Sequence, residues 1–378
     1  MNRMAGAAGA LLLTMSLVVP VAASTAAQPT ERASTSDPAA AGAFHLSVPA
    51  PTGQFPVGVR SDWVLDPGRI DSTTLQPRAL PIRVWYPAQH RVGGPSAPYM
   101  SPLVEAIVEE SFGLPAGAFD VDTHAVADAR PRSHIRGVIL ATPGHGLPAA
   151  SLTGLVVDLA SRGYAVVTID HPHDAGVIQA PDGTPIFNDL DATASFEARM
   201  PDLGLVLDAL PRLVPQASSA TPVGIFGHSI GGVAGAERMR IDSRLVAGVN
   251  LDGSPRGAVV TEGLDRPFGL MLSRVHDLET VEGTAEFISN LRGPHPIKRL
   301  DILHSGFTDF AVFNPEAQAA DPLFGAILEF NQPAGTVDSL RAGLRAMRPQ
   351  REYVAAFMDC YLVKHPRSFA HCDVPTGY

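Results

Sequence analysis

Short apolar runs alternate with segments of helical spacing along most of the chain. The runs that predict buried strands after residue 130 are 135–141, 164–170, 223–226, 245–251, 267–272 and 299–303. Segments with helical spacing lie between them, at 151–162, at 202–213 and from residue 230 onward. Strands that alternate with helices in this way form a mostly parallel sheet with helices on both faces. The sequence therefore predicts an α/β fold with a mostly parallel central sheet.

Further elements are predicted before and after this alternating region. Two earlier apolar runs, 55–66 and 80–87, predict a pair of antiparallel strands. The spacing of apolar residues near the C-terminus predicts two helices, at about 336–347 and 350–362. Together with the alternating region, these elements account for most of the chain.

The segment 96–132 does not follow the alternation. Its amphipathic stretch 101–112 predicts a lid or a surface helix. No repeat of a fixed period is visible, and no break in composition requires a second domain. We therefore expect residues 47–378 to form a single domain.

The N-terminus has the organisation of a secretory signal peptide. Arg3 supplies a positive charge, residues 5–19 form an apolar run, and the small residues 21–23 suit a cleavage site. A membrane anchor is the alternative, but the apolar run is short for a bilayer span. We expect residues 1–23 to be a signal peptide, residues 24–46 to be a flexible leader, and the mature protein to be secreted.

The charge balance argues against a nucleic-acid partner. The chain has 38 acidic and 28 basic residues, for a formal net charge of −10. Phosphate recognition requires clustered Lys and Arg side chains, and the sequence contains no basic run.

The two cysteines, Cys360 and Cys372, both lie near the C-terminus. In an exported protein we expect them to form a disulfide. Two free thiols are the alternative. A loop this short corresponds to a stabilisation of about 3 kcal/mol, which would fix the tail of the chain.

The stretch GIFGHSIGG places Ser229 in a G-x-S-x-G pattern, between a predicted strand and a predicted helix. In a nucleophile elbow, a sharp strand-to-helix turn presents the serine above the sheet, and the flanking glycines leave room for neighbouring backbone. An ordinary glycine-rich turn with an idle serine is the alternative. The strand–turn–helix context favours Ser229 as a catalytic nucleophile.

A serine nucleophile requires a histidine base and a carboxylate that orients it. In this fold their order along the chain is Ser, acid, His. Asp252 follows the strand 245–251 and is the predicted acid, with Asp277 after the next strand as the alternative. His304 follows the last predicted strand and is the predicted base, with His276 as its rival.

Two backbone amides are expected to bind the oxyanion of a tetrahedral intermediate. The first is the N–H of Ile230, directly after the serine. The second belongs to the glycine-rich loop 142–148, TPGHGLP, where Leu147 is the candidate. A tight turn without a catalytic role is the alternative for these glycines.

The run His171-Pro172-His173-Asp174 could suggest a metal site. Consecutive residues on a turn rarely converge on one ion, so we expect pocket lining or structural hydrogen bonds here instead. His228 is expected to pack beside its strand. No G-x-G-x-x-G or Walker pattern follows a strand. We therefore expect no metal and no cofactor.

Taken together, several segments resemble the platelet-activating factor acetylhydrolase family, in its plasma and type II form. The resemblance runs from about residue 55 to residue 310, and its most specific parts are the HGL turn and the H-x-x-F-x-D-F block. The segments are TGQFPVGVRSDWVLD, IRVWYPAQ, TPGHGLPAASLTGLVVDLASRGYAVVTIDHPHDA, GIFGHSIGG, GVNLDGSP and LHSGFTDF.

This resemblance implies an α/β-hydrolase that cleaves short or oxidised acyl chains from the sn-2 position of phospholipids, without calcium. It implies Ser229 as nucleophile, Asp252 as acid and His304 as base, with the amides of Leu147 and Ile230 as oxyanion donors. The expected partners are ester or phospholipid substrates, with transient contact to a lipid surface, and the expected state is a monomer. The alternatives are a broad-specificity carboxylesterase, lipase or cutinase-like polyesterase, and a non-catalytic hydrolase-like binding protein.

Overall fold

The computed structural model describes most of the predicted domain and little outside it. The described residues are 44–89, 94–111, 116–117, 119–312, 339–364 and 372–376. The predicted signal peptide and nearly all of the predicted leader lie outside these residues.

Strands and helices alternate along the described chain. The strands are β1 (Phe44–Ser47), β2 (Val57–Ile70), β3 (Pro77–Pro87), β4 (Phe119–Asp122), β5 (Ala125–Ala127), β6 (Val138–Thr142), β7 (Ala165–Ile169), β8 (Val177–Gln179), β9 (Pro185–Phe187), β10 (Val223–His228), β11 (Leu245–Leu251), β12 (Phe268–Leu272) and β13 (Ile297–Arg299). The α-helices are α1 (Pro102–Ser111), α2 (Thr153–Ser161), α3 (Ala192–Leu213), α4 (Ile230–Ile241), α5 (Val259–Glu262), α6 (Thr284–Asn290) and α7 (Ser339–Phe357). Short 3₁₀ helices span Ala149–Leu152 and His304–Phe307, and a π-helix, Met358–Lys364, continues α7.

The main sheet has the strand order β13-β12-β11-β10-β6-β7-β3-β2-β5 within the described residues. The strands from β13 to β7 are parallel to one another. β3 is antiparallel to both β7 and β2, as expected for the early pair. Because parallel strands share a direction, the loops after β6, β7, β10, β11 and β12 all emerge at one edge. The predicted site residues lie on these loops and on the loop after β13.

Both faces of the sheet are covered by apolar side chains from helices. Ile139 of β6 belongs to a core that includes residues of α2 and α7. The next residue, Leu140, belongs to a second core, on the opposite face, that includes residues of α3, α4 and α6. This alternation follows from the two-residue period of a strand, and it explains why the central strands β6, β7 and β12 are almost entirely apolar.

The last strand and the C-terminal helices differ from the sequence prediction. β13 spans Ile297–Arg299 instead of 299–303, because its partner β12 ends at Leu272 and offers no further backbone to pair with. The two helices predicted at 336–347 and 350–362 are one helix, α7, that continues into a π-helix.

Pro349 explains the false break between these two predicted helices. Proline lacks an N–H donor, so it normally ends or bends a helix. Here the residues around it are buried: Met347 lies beside Gly154 of α2, and Tyr353 and Phe357 pack against Gly269 of β12. Tertiary packing therefore outweighs the local preference of proline.

The segment 96–132 is part of the fold. A helix, α1, forms where the amphipathic stretch 101–112 predicts one. The same segment supplies β5 to the edge of the main sheet and β4 to a small sheet with β1. β1 pairs with β4 over Phe44–Ser47, so the described fold includes the last three residues of the predicted leader 24–46.

A disulfide joins Cys360 to Cys372, as expected. It links the π-helix to the C-terminal stretch 372–376. The helices in the described residues do not have the length and apolar character needed to span a bilayer.

Candidate active site

Ser229 lies in the sharp turn between β10 and α4. Its φ of 54° and ψ of −128° fall where L-residues are rarely found, and such backbone strain is concentrated at functional sites. Its backbone N–H donates to the carbonyl of Leu251 at 2.8 Å, at the end of β11. The turn thus holds Ser229 beside the end of the next strand, and its side chain stays partly exposed.

The glycines around Ser229 are required by close approaches of the backbone. A Cβ on Gly227 would collide with the backbone of Gly231, and a Cβ on Gly231 would collide with the carbonyl of Thr142 in β6. A Cβ on Gly232 would collide with the side chain of Asn250 in β11. The G-x-S-x-G pattern therefore has the steric origin expected for a nucleophile elbow.

Asp252, the first residue after β11, is almost completely buried and accepts hydrogen bonds from three groups. Its Oδ1 lies 2.7 Å from the backbone nitrogen of Ser273 and 3.2 Å from Nδ1 of His276. Its Oδ2 lies 2.7 Å from Nδ1 of His304. Burial alone would raise the pKa of Asp252, but the hydrogen bonds from both histidines outweigh it and hold the pKa well below its usual range. Asp252 is therefore a carboxylate at neutral pH.

The alternative acid, Asp277, is exposed and has different partners. Its carboxylate accepts the backbone N–H groups of Glu279 and Thr280 at 2.7 and 3.1 Å. These backbone hydrogen bonds lower its pKa. Asp277 thus stabilises a local turn, whereas Asp252 contacts the predicted base.

His304 opens the 3₁₀ helix that follows β13, and its side chain is 41% exposed. Because a carboxylate can only accept, the contact with Asp252 assigns the proton to Nδ1 of the neutral ring and leaves Nε2 as the acceptor. Among the described residues, the Ser229 hydroxyl makes no hydrogen bond. Contacts between nucleophile and base are often long before substrate binds.

The rival base, His276, has both ring nitrogens occupied. Its Nδ1 faces Asp252, and its Nε2 lies 3.1 Å from the hydroxyl of Thr284. The side chain is also buried. No ring nitrogen of His276 is left to take a proton from Ser229.

His228, the residue before the serine, packs against the predicted base. The two imidazole rings have centroids 4.5 Å apart. Nε2 of His228 donates to the backbone carbonyl of His304 at 3.0 Å. Burial, together with the nearby His304, lowers the pKa of His228 to about 3, so the ring is neutral. His228 therefore helps to hold the backbone and ring of His304 in place, whereas the sequence predicted only that it packs beside its strand.

The loop that carries His304 is also fixed from its other side. The backbone N–H of Asp309 donates to the carbonyl of Ser151 at 2.8 Å, and its carboxylate accepts the N–H of Gly154 at 3.0 Å. The side chain of Gln350 donates to the carbonyl of Gly306 at 2.7 Å. Burial raises the pKa of Asp309 to about 7. These contacts give a structural reason for the H-x-x-F-x-D-F block.

The two predicted oxyanion donors lie on neighbouring elements. Ile230 is the first residue of α4, and amides in the first turn of a helix have no intrahelical acceptor. Leu147 lies in the loop after β6, where its N–H donates to the carbonyl of Gly144 at 3.2 Å. The Leu147 amide is thus engaged in a long turn hydrogen bond in the unliganded protein.

A buried arginine from α3 braces this loop. Arg199 donates to the hydroxyl of Thr142 at 2.8 Å and to the carbonyl of Gly144 at 3.2 Å. It also pairs with Asp174 at 2.5 Å. The other oxygen of Asp174 lies 2.8 Å from Nδ1 of His145. The paired Arg199 and Asp174 therefore hold the loop that contains Leu147 through several hydrogen bonds.

Replacing Arg199 by methionine is expected to destabilise the protein by about 3–5 kcal/mol, because Asp174 would remain buried without its partner. Urea unfolding monitored by circular dichroism measures the change. Arg348 provides the matched control: its side chain is 82% exposed and pairs with Glu352, so Arg348→Met should leave the unfolding midpoint unchanged. Equal midpoints for the two variants would contradict the bracing role.

The histidines of the 171–174 run are directed to separate partners. Nδ1 of His171 lies 2.9 Å from Asp202. His173 lies 3.0 Å from Asp71 through one ring nitrogen and 3.0 Å from Asp189 through the other. Across the part of the chain that the structure describes, no group of three metal-binding side chains is arranged to hold an ion.

The sequence does contain a signal for the missed Arg199. On α3 this arginine precedes Leu203, Val206 and Leu210 at spacings of four, seven and eleven residues, which places it on the apolar face of the helix. A charged side chain on such a face requires a buried partner. The link between His276 and Asp252 has no comparable signal, because it depends on how two loops meet.

Comparisons with known proteins find two esterases that are similar to this chain. No family model matches the chain. A curated protein from Arthroderma benhamiae, a probable 1-alkyl-2-acetylglycerophosphocholine esterase, is 27% identical over 249 residues. That alignment covers 57% of this chain and 61% of the relative, so the chain spans about three fifths of the relative's length.

A solved structure extends the comparison to nearly the whole fold. The ferulic acid esterase from Streptomyces cinnamoneus is 30% identical and superposes with a TM-score of 0.69. The match covers 88% of this chain and 97% of that structure. The α/β-hydrolase fold expected from the sequence is thereby confirmed. The chain therefore belongs to the same α/β-hydrolase family as this ferulic acid esterase, and over part of its length it is similar to the probable 1-alkyl-2-acetylglycerophosphocholine esterase.

Proposed function

We propose that this protein hydrolyses carboxylic esters through an acyl-enzyme formed on Ser229. The observation that carries the proposal is the 2.7 Å contact between Asp252 and His304, at the same edge of the sheet as a serine held at positive φ. A buried carboxylate, an imidazole with a free acceptor nitrogen and a strained serine together suit acyl transfer.

In the proposed reaction, Nε2 of His304 takes the proton from the Ser229 hydroxyl as Oγ attacks the ester carbonyl. The C–O bond to the leaving alcohol then breaks, and the imidazolium returns its proton to that alcohol. A water molecule repeats the sequence on the acyl-enzyme and releases the carboxylic acid. Asp252 keeps its negative charge throughout and stabilises the imidazolium.

The amides of Ile230 and Leu147 are proposed to bind the oxyanion of the tetrahedral intermediate. A donor of this kind contributes about 3–4 kcal/mol to lowering the barrier. The turn hydrogen bond from Leu147 to Gly144 is 3.2 Å long, so an oxyanion with full negative charge would compete well for the same proton.

The first candidate substrate is a phospholipid with a short acyl chain at its sn-2 position. The curated relative, a probable esterase of 1-alkyl-2-acetylglycerophosphocholine, supports it. The second candidate class is a broader range of esters, including aryl esters. It is supported by the ferulic acid esterase, whose solved structure the chain covers almost completely.

We further propose that the mature protein is exported and acts as a monomer, with transient contact to lipid surfaces. The disulfide between Cys360 and Cys372 supports export, because disulfides persist in oxidising compartments. Apart from the hydrolytic water, the proposed mechanism uses only side chains and backbone amides of this chain.

A panel of esters tests the proposal directly. The purified protein is assayed against 2-acetyl phosphatidylcholine, methyl ferulate and p-nitrophenyl esters of increasing chain length. We expect hydrolysis of short-chain esters, with the highest kcat/KM for the acetyl phospholipid. A higher value for methyl ferulate would favour the second class. If the protein shows neither ester turnover nor labelling by a fluorescent organophosphonate, a non-catalytic binding protein is favoured and the proposal is overturned.

A further inference from the structure

Asp252 is contacted by two histidines, one on each carboxylate oxygen. His304 binds Oδ2 at 2.7 Å, and His276 binds Oδ1 at 3.2 Å. The backbone N–H of Ser273 also donates to Oδ1, at 2.7 Å. A Ser-Asp-His triad requires only the first of these imidazoles. The second imidazole therefore calls for a separate explanation.

His276 is held in a defined orientation by groups on other elements. Its side chain is buried. Its Nε2 lies 3.1 Å from the hydroxyl of Thr284, at the start of α6. Arg299 of β13 donates to its backbone carbonyl at 2.9 Å. Because Asp252 can only accept, Nδ1 of His276 carries a proton, and the Thr284 hydroxyl donates to Nε2 when the ring is neutral.

We propose that His276 is a positioning residue for the reaction, a second imidazole donor that fixes the carboxylate of Asp252 and moderates the basicity of His304. The inference rests on the proposed ester hydrolysis and names a residue that tunes it. His276 does not contact the reacting atoms. It acts through Asp252 alone.

Two physical effects support this role. First, the hydrogen bonds to Oδ1 prevent rotation of the Asp252 carboxylate, so Oδ2 stays aligned with Nδ1 of His304. Second, a donor on Oδ1 draws negative charge from the carboxylate, so Asp252 stabilises the His304 imidazolium less. Loss of the donor should therefore let Asp252 stabilise the His304 imidazolium more strongly.

Among the described residues, the other titratable and charged groups that contact this cluster include His228 and Arg299. His228 of β10 faces His304 from the nucleophile side and is neutral. Asp252, at the end of β11, contacts the rings of His304 and His276. Arg299 reaches the backbone of His276 rather than its ring. A shift in the titration of His304 on replacement of His276 can thus be attributed to the carboxylate between them.

The test compares pH profiles of kcat and KM for wild type and three variants. His276→Leu removes the donor, and we expect kcat to fall about 10- to 100-fold with little change in KM. We also expect the acidic limb of the kcat profile to move to higher pH. His276→Asn places an amide nitrogen near the position of Nδ1, so it should restore most of kcat and the wild-type limb.

Thr284→Val provides an independent variant that keeps the imidazole. Without the Thr284 hydroxyl, Nε2 of His276 competes with Nδ1 for the ring proton. The acidic limb of the kcat profile should therefore also move to higher pH, but by less than in His276→Leu. His295→Leu is the control for loss of a histidine, because His295 bonds only the nearby carbonyl of Gly293 among the described residues. Its profile should match wild type.

A second readout does not require turnover. The imidazole signals of His304, assigned by their loss in His304→Ala, are titrated by NMR in wild type and in each variant. A raised His304 pKa in His276→Leu supports the inference. An unchanged His304 titration in both His276→Leu and Thr284→Val overturns it. If wild type lacks ester turnover, the proposed function fails, while the titration still decides the role of His276.

Discussion

Replacing Ser229 by alanine is expected to lower kcat for a short-chain ester by about 10⁵- to 10⁶-fold, the loss typical of a missing triad nucleophile. The proposed acyl-enzyme cannot form without Oγ, so the rest of the site could only bind and polarise the ester. Steady-state hydrolysis of a p-nitrophenyl ester measures the loss. Labelling by a fluorescent organophosphonate should disappear in parallel.

The alanine variant should remain folded. Ser229 makes its hydrogen bonds within the described residues through its backbone, to Leu251, Gly232 and Val233, and alanine preserves them. An unfolding midpoint close to wild type is the control. Residual turnover within a factor of ten of wild type, in a folded variant, would contradict the role of Ser229.

Replacing Asp252 by asparagine is expected to lower kcat by about 10⁴-fold. The amide keeps the shape of the carboxylate but can force His304 into the wrong tautomer, and it removes the charge that stabilises the imidazolium. Because Asp252 also accepts bonds from Ser273 and His276, unfolding should be measured beside kcat. The loss of kcat should persist at temperatures where the variant is fully folded.

Asp277→Asn is the matched control for this substitution. Asp277 is exposed and caps a turn through Glu279 and Thr280, so kcat should stay within about twofold of wild type, as for most surface changes. Equal losses in the two variants, or a larger loss at Asp277, would reassign the triad acid.

Much of the fold was predictable because its central parallel strands are buried on both faces. Strands such as Val138–Thr142 are buried throughout and almost entirely apolar, and they end at turns that the sequence marks with glycine or a charged residue. The order of strands and helices then restricts the sheet to few topologies. The expected fold class, the helix at 101–112 and the disulfide all agree with the structure.

The sequence could not predict which residues from distant loops contact each other. The pairing of Arg199 with Asp174 spans 25 residues, and that of His276 with Asp252 spans 24 residues. Neither pair produces a local pattern. The end of β13 at Arg299 likewise depends on the length of its neighbour, and the uninterrupted helix through Pro349 depends on packing against the sheet.

The turns that carry Ser229 and Asp252 are joined too tightly to change independently. A Cβ on Gly253 would collide with the carbonyl of Ser229, and Gly253 also bonds the side chain of Asn250. Directed evolution toward bulkier acyl groups should therefore leave Ser229, Asn250 and Gly253 unchanged.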